Sequence, residues 1–186
     1  MCNLHVQITN AKLAPMKNYR ASLILLLLIP AGLIAQQNQV IYDSLARQQI
    51  LFGPCDRGAL MSFGDYADYY HDEYKHYEPQ KEVMRELNRI PTEDLQISVI
   101  LGTWCHDSKE QVPRFLLILD EMDFPMDRLG FVCVNRLKTA GTTDISGLDI
   151  ELVPTFIVYE NEKEIGRIVE TPAQSLESDL LEIIKE

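Results

Sequence analysis

Cysteine and cationic side chains are both scarce in this chain. Four cysteines in 186 residues are too few for a disulfide scaffold and enough for one reactive site. Seventeen lysines and arginines stand against 28 acidic residues, a formal net charge of −11. That balance excludes a nucleic-acid binder, whose surface has to neutralise phosphates. The sequence has no internal repeat and no low-complexity tract. It also has no apolar run of the ~20 residues that a membrane-spanning helix needs. The longest stretch, Leu23–Ile29, is followed at once by Pro30 and Gly32. What is present is a 46% hydrophobic chain, globular in composition. Its length suits one domain with an extension and excludes multidomain machinery.

Residues 1–35 contain no acidic residue, but carry Lys12, Lys17 and Arg20 ahead of the apolar stretch and end in Leu33-Ile-Ala35. A basic start, a short apolar core and a small residue before a polar segment make a secretory signal peptide, with cleavage expected after Ala35. Met16-Lys17 begins a conventional leader by itself, so Met16 is an alternative start. The residue directly after the cleavage position is Gln36 and not cysteine, which argues against a lipid anchor; the other reading of this segment is an uncleaved membrane anchor. The mature chain is expected to be exported to a Gram-negative periplasm, with no stable membrane span. It retains Cys55, Cys105 and Cys133 in an oxidising compartment, where each thiol needs a reason.

Two regions follow. Residues 36–94 read as a helical, tyrosine-rich extension. Residues 40–51 fit a short helix or an extended lead-in, ended by Gly53-Pro54. Tyr66, Tyr70, Tyr74 and Tyr77 recur at helical spacing and predict one aromatic face, laid on the core or offered to a partner. Residues 79–89 predict a helix opened by Pro79. Residues 95–186 alternate strand and helix. Leu95–Leu101 is a strand, 109–122 a helix, and 129–134 a continuously apolar strand expected to be buried on both faces. Residues 143–149 hold a short helix, 155–159 and 164–169 form a hairpin, and 173–185 is an amphipathic helix. This order predicts an α/β domain.

The chemistry gathers where strand 95–101 runs through Gly102-Thr-Trp-Cys-His-Asp-Ser108 into a helix. Cys105 falls at the helix start, where free amides and the positive end of the helix dipole favour an anion. A thiolate is the nucleophile of disulfide exchange. Trp104 would shield one side of the sulfur, and Pro113 lies inside the helix, where a kink is expected. Val153-Pro154-Thr155 precedes a strand, and its X-Pro bond is a candidate for the cis form.

These fragments together resemble the thioredoxin superfamily. Those that carry the resemblance are Trp104-Cys105, the two-residue spacing to Ser108, Pro113, Val153-Pro154-Thr155 and the terminal β-β-α, across residues 95–186. The W-C-x-D-S pattern is also similar to exported thioredoxin-like proteins of the Bacteroidetes. The resemblance implies a thioredoxin-like fold, a central mixed sheet flanked by helices. It also implies Cys105 as the nucleophile, Pro154 as the cis-proline beside it, and a Val153 backbone presented to a substrate chain.

Two departures shape the expected activity. The family's second cysteine is Ser108, which cannot resolve a mixed disulfide but can donate a hydrogen bond to a Cys105 thiolate. The family's buried acid falls at Val99. The reading is therefore monothiol thiol-disulfide exchange, with protein or small-molecule thiols and disulfides as partners. The alternative is a non-enzymatic thioredoxin-fold module that binds peptides or partners. His106 either stabilises the thiolate when protonated or faces solvent; Asp107 caps the helix start or takes part in proton transfer. Thr103 and Arg114 lie near Cys105 without forming a thiol-peroxidase motif. Cys133 reads as a small buried hydrophobe. Cys55 is either a remote resolving cysteine for Cys105 or inert, since sequence does not give the distance a bridge requires. No cofactor and no metal are expected: Asp72 and His76 alone share a helical face, and Cys105 with His106 supplies too few ligands.

Overall fold

The computed structural model describes residues 37–185; the leader expected at 1–35 lies outside them. Its first element is a hairpin, β1 (Gln39–Asp43) and β2 (Gln48–Cys55), paired antiparallel with Asp43 opposite Gln48. Of the two readings of residues 40–51, a short helix or an extended lead-in, the structure has the extended one, and only the part of the extension after Cys55 is helical. The physical reason is Asp43. Its Oδ1 accepts the Leu45 and Ala46 amides at 2.7 and 3.2 Å, an Asx turn that competes with helix. Arg47 completes the turn at φ 57°.

Three helices follow: α1 (Arg57–Leu60), α2 (Gly64–His76) and α3 (Lys81–Leu87). Asp56 caps α1 by accepting the Ala59 amide at 2.8 Å. Then come β3 (Leu95–Leu101), α4 (His106–Glu121), β4 (Leu129–Cys133), β5 (Thr155–Glu160), β6 (Lys163–Val169) and α5 (Leu176–Lys185). Short 3-10 turns cover Met126–Arg128 and Ser146–Leu148. The β5–β6 loop is Asn161-Glu162, both at positive φ (50° and 65°), the geometry a two-residue hairpin turn needs. α4 runs through Pro113 as one helix of 16 residues.

The six strands form one sheet in the order β1-β2-β4-β3-β5-β6. Only β3 and β4 are parallel, as the α4 crossover requires; the other pairs are antiparallel. The main core lies between one sheet face and the helices. There Val99, Phe131 and Phe156 meet Val112, Phe115, Leu119, Leu176 and Leu180. Each fully buried side chain of this kind contributes about 1.5–3 kcal/mol. The opposite face carries a smaller cluster of Ile100, Val134, Ala140, Ile145, Val153 and Ile157, supplied by the 134–153 segment, with Trp104 and Cys105 at its edge. β4 is consequently not buried on both faces as expected. Leu129, Phe131 and Cys133 are buried, Gly130 is exposed and Val132 is half-buried, because the segment covers only the upper end of that face.

Tyr66, Tyr70 and Tyr74 lie along the packed side of α2, and Tyr77 caps its C-terminal end. Tyr66 and Tyr70 are buried, and Tyr74 and Tyr77 are half-buried against the main core. Their hydroxyls explain why tyrosine rather than phenylalanine is present. Tyr66 donates to the Ser108 carbonyl at 3.2 Å, Tyr74 to Asp120 at 2.6 Å and Tyr77 to Glu177 at 2.7 Å. Asp120 also receives a two-pronged contact from Arg57 at 2.6 and 2.7 Å. The helices after the hairpin are thereby tied to α4 and α5. No helix of the described residues is long and apolar enough to cross a membrane.

Candidate thiol site

β3 delivers the chain to the sheet's upper edge, and a tight turn closes there with the Cys105 amide donating to the Gly102 carbonyl at 2.8 Å. Cys105 then takes the N-cap position of α4. The turn is held from three sides. Thr103, buried, accepts the Leu51 amide of β2 at 3.2 Å. Ser108, fully buried, accepts the Gly102 amide at 3.2 Å. Trp104 donates from Nε1 to the Val134 carbonyl at 2.8 Å. A Cβ on Gly102 would come within 2.6 Å of the Trp104 ring, so the indole folds back over a residue that has no side chain.

The Cys105 thiol is half-buried and donates to the Val153 carbonyl at 3.1 Å; the Asp107 carboxylate lies 3.6 Å from the sulfur. The Val153–Pro154 peptide bond is cis and both residues are buried. The loop is clamped by two further bonds, Thr155 Oγ1 to the Leu152 carbonyl at 2.8 Å and the Glu170 amide to the Pro154 carbonyl at 2.7 Å. Trp104, Cys105, Val153 and Pro154, 50 positions apart at the extremes, thus meet at one rim.

The other candidates separate into roles. Ser108 is spent on the backbone turn: its oxygen serves Gly102, whereas the thiol's partners are Val153 and Asp107. Asp107 stands in the first turn of α4 and beside the sulfur together. His106 is exposed and faces away, its ring edge-on to Tyr69 at 5.8 Å and its Nε2 3.9 Å from Glu110. Val99 is buried in the main core, leaving no acid at that position. Arg114 pairs with Glu73 and Glu110, each at 2.7 Å, and Thr103 with the hairpin, so neither is directed to the sulfur. Cys55 has its sulfur 3.0 Å from that of Cys133, its partner in place of Cys105. Burial, and then the neighbouring Cys55, push the Cys133 thiol well above the usual range.

Sequence reasoning missed the cationic cover of the tryptophan. The Arg136 guanidinium lies 4.3 Å from the Trp104 ring centre and the Lys138 ammonium 5.9 Å, a cation–π arrangement on its outer side. The Asp43 carboxylate holds this loop by accepting the Arg136 amide at 2.9 Å. That bond above all, against some desolvation, keeps the Asp43 carboxyl below its ordinary value. It also missed Lys109, buried on α4 with its Nζ 2.6 Å from Asp65 and 5.1 Å from the Tyr69 ring. Neither contact has a local signal, since the partners are 30 or more residues apart.

No family model and no curated protein matches the chain. Solved structures do. One is a Pseudomonas aeruginosa protein of unknown function, 17% identical, with a TM-score of 0.52 over 70% of this chain and 91% of that one. Another is an HIV epitope scaffold, 15% identical, at 0.51 over 70% and 92%. A Fasciola hepatica thioredoxin is 17% identical, at 0.35 over 56% and 88%. The arrangement of β4-β3-β5-β6, with α4 and α5 on one face and a cis-proline loop facing the start of α4, decides the fold. It is thioredoxin-like. The hairpin β1–β2 extends the thioredoxin-like sheet beyond β4, and the site sits at the rim where α4 starts.

Proposed function

We propose that this thioredoxin-like protein performs thiol-disulfide exchange through Cys105 alone, in an exported compartment reached by the 1–35 leader. The observation that carries the reading is the Cys105 thiol at the start of α4, 3.1 Å from the carbonyl of the residue before the cis-proline. A substrate chain laid along the Val153 backbone would bring its disulfide to that sulfur. The Cys105 thiolate attacks one substrate sulfur, a mixed disulfide forms, and the other sulfur leaves as a thiolate. Ser108 has no thiol with which to complete an internal second step, so an external thiol attacks the mixed disulfide and releases Cys105.

A glutathione-linked exchange assay tests this reading. Wild-type turnover falling to background in Cys105→Ser is the expected result, with little insulin reduction by either protein. Equal turnover in both would refute it. One feature favours a second reading, a peptide-binding module without catalysis. The Asp107 carboxylate at 3.6 Å opposes a negative charge on the sulfur. On that reading partner capture survives Cys105→Ser unchanged; on the exchange reading it is lost.

A further inference from the structure

Two of the described cysteines take no part in the thiol site. Cys55 ends β2 and Cys133 ends β4. These strands are antiparallel neighbours, with Gly53 opposite Cys133 and Cys55 opposite Phe131. The two side chains lie on a diagonal and share the main core with Tyr66, Leu101 and Phe131. Their sulfurs are 3.0 Å apart, with 5% and 0% of each residue exposed. A disulfide bond is ~2.05 Å long, so closure needs about 1 Å of approach. Two side chains that each turn about one bond share that movement. Among the described residues no group of three His, Cys, Asp or Glu could hold a metal, so the pair is not part of such a cluster.

The geometry points to a Cys55–Cys133 disulfide, formed by exchange with a low-molecular-weight disulfide such as oxidised glutathione, that staples the hairpin to the sheet. One cysteine attacks the external disulfide and gives a mixed disulfide and one free thiol. The second cysteine displaces the remaining group as a second free thiol. The two protein thiols lose two electrons and two protons, and the external disulfide gains them. Neither sulfur is reachable in the folded chain, so the attack belongs to the stage before the hairpin docks, and solvent thiols are excluded afterwards. The bond would join positions 78 apart in sequence. It would also withdraw both spare thiols from exchange, whatever Cys105 does.

The test uses the full chain, unfolded and refolded in reduced and oxidised glutathione, then denatured, alkylated without reduction and digested with trypsin. The expected product joins peptide 48–57 to peptide 129–136, while peptide 90–109, which holds Cys105, is joined to neither. Recovery of 48–57 and 129–136 as separately alkylated peptides overturns the proposal, as does a link from either one to Cys105. Cys105→Ser retains the cross-link, which separates this result from the exchange reading; loss of the link in that variant overturns an independent closure. Reduction of the wild type lowers the melting temperature by roughly 5–15 °C for a chain of this size. An unchanged melting temperature after verified reduction overturns the stapling role.

Discussion

Gly102→Ala would probe the site without touching a titratable group. A Cβ at this position meets the Trp104 ring at 2.6 Å (Cε2), 2.7 Å (Nε1) and 2.9 Å (Cζ2), closer than side chains pack. The backbone at Gly102 is not in the left-handed region, so alanine is conformationally acceptable. Reduced freedom of the unfolded chain returns about 0.4–1 kcal/mol. The indole must then swing out. It loses the 2.8 Å bond to the Val134 carbonyl, a net of about 0.5–1.5 kcal/mol. It also loses its cover by Arg136 at 4.3 Å, about 0.5–1 kcal/mol for a partly exposed cation–π pair. Repacking strain adds about 1–3 kcal/mol. The balance is a destabilisation of about 1–5 kcal/mol, or roughly 3–15 °C in melting temperature for a domain of this size. Trp104 is the only tryptophan, so its fluorescence reports the displacement directly, and emission should shift to longer wavelength. A variant with wild-type emission and wild-type melting temperature would show that the ring is not held as described.

Three further outcomes follow from the polar contacts. Burial pushes the Asp120 carboxyl up, but the Arg57 and Tyr74 hydrogen bonds outweigh it and leave the group below its ordinary 3.8. Its stabilising effect is therefore complete above that value and fades as pH falls through the lower folded-state value. Melting curves between pH 2 and 6 should show Asp120→Asn with less acid sensitivity than wild type, and parallel curves would count against the assignment. Tyr77→Phe removes the donor to Glu177 (2.7 Å) and is expected to cost about 0.5–1.5 kcal/mol, read by chemical denaturation; no loss would mean that water replaces it. Thr103→Val leaves the buried Leu51 amide without its acceptor, at about 1–3 kcal/mol. Hydrogen exchange at Leu51 should accelerate, and unchanged protection there would refute the link between hairpin and turn.

The thioredoxin-like half was legible because its signals are local. Leu95–Leu101 is bounded as expected, Val112, Phe115, Leu116 and Leu119 are the buried stripe of α4, and Pro154 is cis. The hairpin at 39–55 was not legible. Its turn, Ser44-Leu-Ala-Arg47, contains good helix formers and no glycine, and only the Asp43 side chain redirects it. The partner of Cys55 was hidden for another reason. Strand register places Cys55 beside a residue 78 positions away, and no periodicity carries that information. Ser108 was expected to offer its hydrogen bond to a Cys105 thiolate, but its oxygen accepts the Gly102 amide. Turn geometry, not residue type, determines that choice.

The antiparallel seam between β2 and β4 has a consequence for how the chain can be divided. Cutting it near residue 94, where the sequence suggests a boundary, would turn β4 from an interior strand into an edge. Its amides and carbonyls opposite Gly53, Pro54 and Cys55 would face solvent, beside the apolar side chains of Phe131 and Cys133. An edge of that kind invites pairing with another chain. The smallest unit that keeps β4 an interior strand starts at the hairpin, and the tyrosine-bearing helices between hairpin and β3 lie within that same compact unit.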